Sequence, residues 1–221
     1  MSDFVLYNYF RSSTSYRVRI ALNYKQVDFE YRAVHLLKNG GEQNSPTYLS
    51  LNPQAEVPTL LYKNGKSISQ SVAIVEYLDE ILPNPPLFPQ DPFLRAKVRQ
   101  FCENIKSYLH PLANHKVLQK LENEYGFTQE QKNLWVQSWS TKGFEALEKI
   151  LQEFSGDFCF GNSLTAADVF LVPALFTAKR FQVDTARYQL CSKIEERCLK
   201  MKIFEKAHPY RQPDTPENEK I

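Results

Sequence analysis

The chain has 221 residues, 43% hydrophobic and 24% charged, with 27 Lys and Arg against 25 Asp and Glu. That mix describes a globular chain of one large or two small domains, long enough to bury a core without disulfides. The near-balance of charge excludes the basic footprint of a nucleic-acid binder and a polybasic membrane anchor. With only 7 glycines and neither G-x-G-x-x-G nor G-x-x-x-x-G-K-[ST], the nucleotide-binding loops of those designs are excluded too.

In chain order, Phe4–Tyr7 reads as a strand and Tyr9–Ser15 as a polar bend. Tyr16–Tyr24 reads as a helix, with Val18, Ala21 and Leu22 at helical spacing. Val27–Val34 alternates as a second strand, Gly40-Gly41 marks a loop, and Pro46–Leu51 reads as a short helix ended by Asn52-Pro53. Thr59–Tyr62 and Lys66–Ile68 flank Asn64-Gly65, a strong hairpin signal. A helix then opens at Ser69 or Gln70 with the stripe Ile74, Tyr77, Leu78, Ile81 and Leu82. The order β-α-β-α-β-β-α, with a parallel first pair and an antiparallel last pair, is that of the thioredoxin-like fold.

Pro83, Pro85, Pro86, Pro89 and Pro92 then break the pattern. Beyond them, helical periodicity runs through 93–121 and 128–154 with no alternating strand. The expected architecture is an α/β thioredoxin-like N-terminal domain over 1–83, a linker over 84–92 and an all-α C-terminal domain over 93–221. Leu164-Thr165-Ala166-Ala167-Asp168-Val169 carries a capping box and its hydrophobic staple, a folding device. The polar tail after Pro209 is expected to be extended over the surface or frayed.

Cys102, Cys159, Cys191 and Cys198 show no C-x-x-C spacing, and the four histidines show no zinc pattern, so free buried thiols and no metal are expected. The first residues lack a signal peptide's basic and apolar regions, and no 18-residue apolar run occurs. A reduced, cytoplasmic protein is the simplest reading.

Three places suggest a ligand groove, each with a plainer alternative. Ser12, Ser13, Thr14 and Ser15 gather hydroxyls at a helix start, where an anion or a ligand's thiolate is stabilised. One of them serving as an ordinary cap explains the run equally. Val57-Pro58 before a strand suits a cis turn presenting its backbone to an extended peptide, or simply a strand entry. Gln70-Ser71 at another helix start suits a carboxylate or a cap. Arg11, Arg17, Arg19 and Arg180 could meet carboxylates or sit in ion pairs. No G-x-S-x-G elbow is present.

The run Ser12-Ser13-Thr14-Ser15-Tyr16-Arg17-Val18-Arg19-Ile20-Ala21-Leu22 resembles the S-S-C-x-x-R-V-R-I-A-L signature of zeta-class glutathione transferases, the maleylacetoacetate isomerases. The resemblance extends through Asn52-Pro53, Val57-Pro58-Thr59-Leu60, Gln70-Ser71, Pro89-Gln90-Asp91-Pro92, Pro111-Leu112, Asn114, Arg180-Phe181 and Arg211-Gln212-Pro213-Asp214. It implies the glutathione transferase fold, a homodimer, and glutathione as the bound cofactor. By resemblance, Ser12 would donate to the glutathione sulfur, with Ser13 and Thr14 lining its pocket. Val57 and Pro58 would meet the cysteinyl backbone, Gln70 and Ser71 the γ-glutamyl end, and Gln43 the peptide. His110 and Asn114, on the helical-domain wall, would also line the cofactor's site, and Arg180 would meet a substrate carboxylate. Arg11, from the arginine cluster, is a second candidate for that carboxylate.

The reaction implied is glutathione-dependent cis–trans isomerisation of maleylacetoacetate to fumarylacetoacetate. Maleylpyruvate isomerisation, conjugation or dehalogenation of small α-halo acids, and a non-catalytic interaction role are the alternatives. Tyr9 offers a tyrosine-type alternative to serine activation. Two departures from the pattern stand out: Thr14 replaces the usual Cys, and His110 stands where relatives often carry Gln.

Overall fold

The computed structural model describes residues 3–62 and 65–221. They form two compact units: residues 3–62 and 65–86 together with 200–221, and residues 87–199. The last 22 residues therefore belong with the first unit, not with the helical domain expected over 93–221.

In the first unit the elements are β1 (Phe4–Asn8), α1 (Ser13–Tyr24), β2 (Phe29–Ala33), α2 (Pro46–Leu49), β3 (Thr59–Tyr62), β4 (Lys66–Ser69), α3 (Ser71–Ile81) and α10 (Lys202–Ala207). Among the described residues the strands make one sheet in the order β2-β1-β3-β4. β1 pairs parallel with β2 and antiparallel with β3, and β3 pairs antiparallel with β4. The βαβ opening and returning hairpin of the thioredoxin-like order are thus present, although Asn64 lies outside the described residues. Phe4, Leu6 and Asn8 alternate into the core from β1, the period-2 pattern of a strand with one buried face.

α1 starts three residues earlier than its apolar spacing predicts, because Ser12 caps it: the Ser12 side chain accepts from the Ser15 N–H. α1 lies against α3 and α10. Its far end is closed by Lys25, whose Nζ donates to Asp79 Oδ1 and to the carbonyls of Leu82 and Pro85, each at 2.6 Å. The Lys25 side chain has no exposure, so every ammonium proton is matched inside the protein. Val57-Pro58 and Asn84-Pro85 are cis.

The final segment is not frayed. Gln212 Nε2 donates to the Lys206 and His208 carbonyls, both at 2.8 Å, and Thr215 Oγ1 to the Pro209 carbonyl at 2.7 Å. Polar composition misleads here because those side chains bind the chain's own backbone rather than water.

The second unit comprises α4 (Pro92–Glu103), a π-helical turn (Asn104–Leu109), α5 (His110–Leu112), α6 (His115–Tyr125), α7 (Gln129–Phe154), α8 (Ala166–Arg180) and α9 (Gln189–Leu199). The single run expected over 93–121 is thus divided. The wide turn brings Leu109 so close to Gly143 on α7 that a Cβ there would stand 2.2 Å from Leu109 Cδ2. The capping box opens α8 as the sequence predicts. Asp168 accepts from the Thr165 N–H at 2.8 Å, the Thr165 hydroxyl at 3.0 Å and the Cys159 N–H at 2.8 Å. Complete burial raises the Asp168 pKa, while these donors oppose the rise. Glu148 of α7 accepts the Leu190 and Cys191 N–H groups, capping α9 from a neighbouring helix. All four cysteines are free and buried.

Replacing Lys25 by Met should strand three acceptors, one of them charged, and cost about 3 kcal/mol. Urea denaturation followed by circular dichroism checks this; an unchanged midpoint would show that the clamp contributes nothing.

Candidate active site

At the N-terminus of α1 three hydroxyls are arranged by one capped turn. Ser12 N donates to the Tyr9 carbonyl at 3.1 Å, folding the bend, and Ser15 N donates to Ser12 Oγ at 3.2 Å. Ser12 Oγ lies 2.8 Å from Thr14 Oγ1, and Thr14 Oγ1 donates to the Val57 carbonyl at 2.9 Å. A hydroxyl has one proton. Thr14's is on Val57, so in the Ser12–Thr14 bond Ser12 is the donor. The result is a directed chain, Ser12 to Thr14 to Val57, whose second bond crosses 43 residues of sequence. Ser13 is buried and begins the helix.

Thr14 thereby occupies one lone pair of the Val57 carbonyl that the sequence offers to an extended peptide. The second lone pair remains, since a carbonyl oxygen has two. Pro58 forms the cis turn leading into β3.

Gln70 caps α3 with φ +72°, a left-handed value that a residue with a Cβ rarely adopts. It makes no side-chain cap; its Nε2 lies 3.3 Å from Gln54 Oε1 and 3.4 Å from Glu56 Oε2. A helix start without a side-chain cap presents N–H groups and the positive dipole end to an anion. Ser71 follows, buried, and its Oγ accepts from Arg17 Nη1 at 3.2 Å. Arg17 therefore joins α1 to α3 from within the core.

Gln43 sits in the loop before α2. Its Nε2 donates to the Leu36 carbonyl at 3.4 Å, while Oε1 is buried with no protein partner. A buried amide oxygen lacking a donor is costly unless something else supplies one.

Arg11 does not stand free for a substrate. Its Nη2 is held by both oxygens of Glu219, so the first unit's own tail takes the charge expected to meet a carboxylate. Tyr9 is 5% exposed in an apolar cluster with Phe10, Val34, Tyr48 and Val57. On the second unit, Asn114 caps α6 by accepting from Lys116 N at 2.9 Å, and its Nδ2 lies 3.4 Å from His110 Nε2. Arg180 ends α8, exposed, with its guanidinium 6.0 Å from the Phe181 ring centre.

Arg17 and Arg19, open in the sequence between carboxylates and ion pairs, bind neutral groups inside the first unit instead: Ser71, Asn8 and backbone carbonyls. The tail acids Asp214 and Glu219 carry no role in the sequence reading, because their partners lie more than 180 residues away.

Residues 2–80 match the family model for the glutathione S-transferase N-terminal domain, and residues 139–197 that for the C-terminal domain. A maleylacetoacetate isomerase of Mus musculus is 46% identical over 212 residues, covering 96% of this chain and 95% of that one. Another, from Dictyostelium discoideum, is 44% identical over 95% of each chain. Among solved structures, a maleylpyruvate isomerase, a bacterial zeta-class enzyme, superposes with TM-score 0.92 at 39% identity, over 96% of this chain and 100% of the other. A maleylacetoacetate isomerase of Anaeromyxobacter dehalogenans with glutathione in its active site gives TM-score 0.87 at 36% identity, over 98% of this chain and 100% of that one. The chain belongs to the glutathione S-transferase family, and within it to the zeta class.

His35 supports the loop that carries Gln43. Its Nδ1 accepts from Leu37 N at 3.2 Å and Lys38 N at 3.0 Å. Burial first, then Lys38, lowers its pKa below the ordinary 6.5. Neutral His35 therefore contributes its full stability above 6.5, and the contribution is lost as pH falls from there through its lowered folded pKa. An NMR titration should find His35 midpoint below 6.5, with amide protection of Leu37 and Lys38 falling in the same range; a midpoint above 6.5 would contradict these bonds.

Proposed function

We propose that the protein is a glutathione-dependent cis–trans isomerase that converts maleylacetoacetate to fumarylacetoacetate, a step in the breakdown of tyrosine and phenylalanine. The observation that carries the reading is the hydroxyl chain from Ser12 through Thr14 to the Val57 carbonyl at the positive end of α1. The names and bound ligand of the zeta-class relatives support the same reading.

The residues fit glutathione. The buried Gln43 Oε1 lacks a donor that a peptide N–H or ammonium could provide. The helix start at Gln70-Ser71, without a side-chain cap, suits the γ-glutamyl carboxylate. Val57 and Pro58 offer an extended backbone to the cysteinyl residue. Bound glutathione supplies a thiolate, whose reversible addition to the conjugated alkene lowers its bond order and permits rotation.

This chain's residues hold that charge and orient the partners. Ser12 keeps a proton on Oγ that it can turn from Thr14 toward an anion, exchanging a neutral hydrogen bond for a charge-assisted one. The α1 dipole acts in the same direction, so Ser12 and the helix start together would favour a bound thiolate without a general base, its proton passing to solvent. Ser13 and Thr14 line the position, and Thr14 holds Ser12 and Val57 in register. Thr14 keeps the hydrogen bonds while removing a protein thiol that the isomerisation does not need. By the family resemblance, Arg180 supplies a guanidinium for a substrate carboxylate, and His110 and Asn114 supply polar groups toward the cofactor. The family resemblance also supports a homodimer, for which sedimentation should find twice the 25.7 kDa of the chain. The four unpaired cysteines support a cytoplasmic location.

Maleylacetone offered with and without glutathione tests the reading: conversion to the trans product should require glutathione. Maleylpyruvate belongs in the same assay, because a maleylpyruvate isomerase is among the similar structures. Preference for it would change the substrate and leave the chemistry intact. Glutathione binding with no isomerisation of either would replace the reading with a conjugating or dehalogenating transferase.

Removing the thiolate donor with Ser12→Ala should lower kcat/KM by about 10²-fold. Thr14→Val should lower it about fivefold and Thr14→Ser hardly at all, since one neutral hydrogen bond is worth about 1 kcal/mol. Full activity in Ser12→Ala with loss in Tyr9→Phe would assign activation to tyrosine instead.

A further inference from the structure

The bend that presents Ser12 is held from two directions. From within, Arg19 Nη2 donates to the Phe10 carbonyl at 3.0 Å and Nη1 to the Tyr9 carbonyl at 3.4 Å, and Tyr9 N donates to Ser15 Oγ at 3.5 Å. From the far end of the chain comes Asp214. Its Oδ2 accepts the Phe10 N–H at 3.0 Å, across 204 residues of sequence, and its Oδ1 accepts the Tyr31 hydroxyl. Phe10 is 1% exposed, so water has little access to replace a lost acceptor. Tyr31 aims the carboxylate, and the 209–215 turn delivers it through the Gln212 and Thr215 bonds. Glu219 then takes Arg11, so two acids of one segment hold consecutive residues immediately before Ser12.

We propose that Asp214 is a positioning residue for Ser12: its carboxylate fixes the Phe10 backbone and so sets where the Ser12 hydroxyl stands. This rests on the reading of Ser12 as the donor to the glutathione thiolate. Asp214 does not touch the sulfur; it acts through two residues of backbone. The charged and titratable groups that interact with it are Arg19, Tyr31 and His35, while Arg11 on the same bend is paired with Glu219.

Charge and position predict opposite effects. Deleting an anion near the site would by charge alone ease ionisation of a bound thiol. Displacing the Ser12 donor would make ionisation harder. Asparagine separates them further: its amide oxygen can accept Phe10 N–H while its NH2 donates to the Tyr31 oxygen, keeping the geometry without the charge.

The test is the ultraviolet thiolate absorbance of glutathione bound to the protein, titrated with pH. Asp214→Ala should move the thiol's ionisation up by about one pH unit, with kcat/KM near neutrality down about tenfold. Asp214→Asn should stay close to the unaltered protein. Ser12→Ala combined with Asp214→Ala should be no worse than Ser12→Ala alone, since one acts through the other. An unchanged or lowered ionisation in Asp214→Ala, equal effects of Ala and Asn, or additive losses would each overturn the proposal. Should Asp214→Ala not fold, Tyr31→Phe removes only the group that aims the carboxylate. It should move ionisation upward by a smaller amount, and no movement overturns the inference. A missing thiolate band in the unaltered protein would instead bring down the reading of Ser12, and this inference with it.

Discussion

A guanidinium with no exposure to water must find its partners inside the protein, and Arg19 finds them in four different places. Its Nε reaches the Ala207 carbonyl at 3.0 Å, Nη1 the Asn8 side chain at 2.9 Å, and the remaining bonds the Tyr9 and Phe10 carbonyls. The Tyr16 ring lies 5.6 Å from the guanidinium carbon. Burial lowers the Arg19 pKa to about 10, still well above neutrality, so the charge persists and keeps every acceptor engaged. The end of β1, the bend before Ser12, the first helix and the returning C-terminal segment are joined at this one group.

Around that anchor, the candidate site consists of short polar groups held by longer ones. Thr14 ties the α1 turn to the Val57 carbonyl, and Arg17 ties α1 to Ser71 at the start of α3. The groups proposed to face a ligand are thus few and small: a hydroxyl, a carbonyl and the N–H groups at a helix start. Small groups on short tethers lose little rotamer freedom when a ligand arrives. The second unit uses the same device for its own stability, with Asp168 and Glu148 closing helix starts from the interior.

Much of this is legible in the chain because the signals are local. The strand and helix periods, the prolines after α3 and the Thr165-to-Asp168 spacing all lie within a few residues of the structures they specify. The Ser12 cap and the hydroxyl run were equally visible, although the sequence could not separate a cap from a ligand site. In the structure Ser12 is the cap and, through Thr14, also the donor end of a directed chain. Arg11 read as a carboxylate-binding group because a planar guanidinium suits carboxylates, whereas its partner Glu219 is 208 residues away.

The sequence by itself determined the order of elements through α3, the Thr165-to-Asp168 cap and the family, since each follows from residue types at fixed short spacings. Only the tertiary structure decided which unit owns the last 22 residues, which arginines are buried, and what holds the bend before Ser12. Those depend on pairings between distant segments, and a polar residue shows its partner only when the chain has brought the two together.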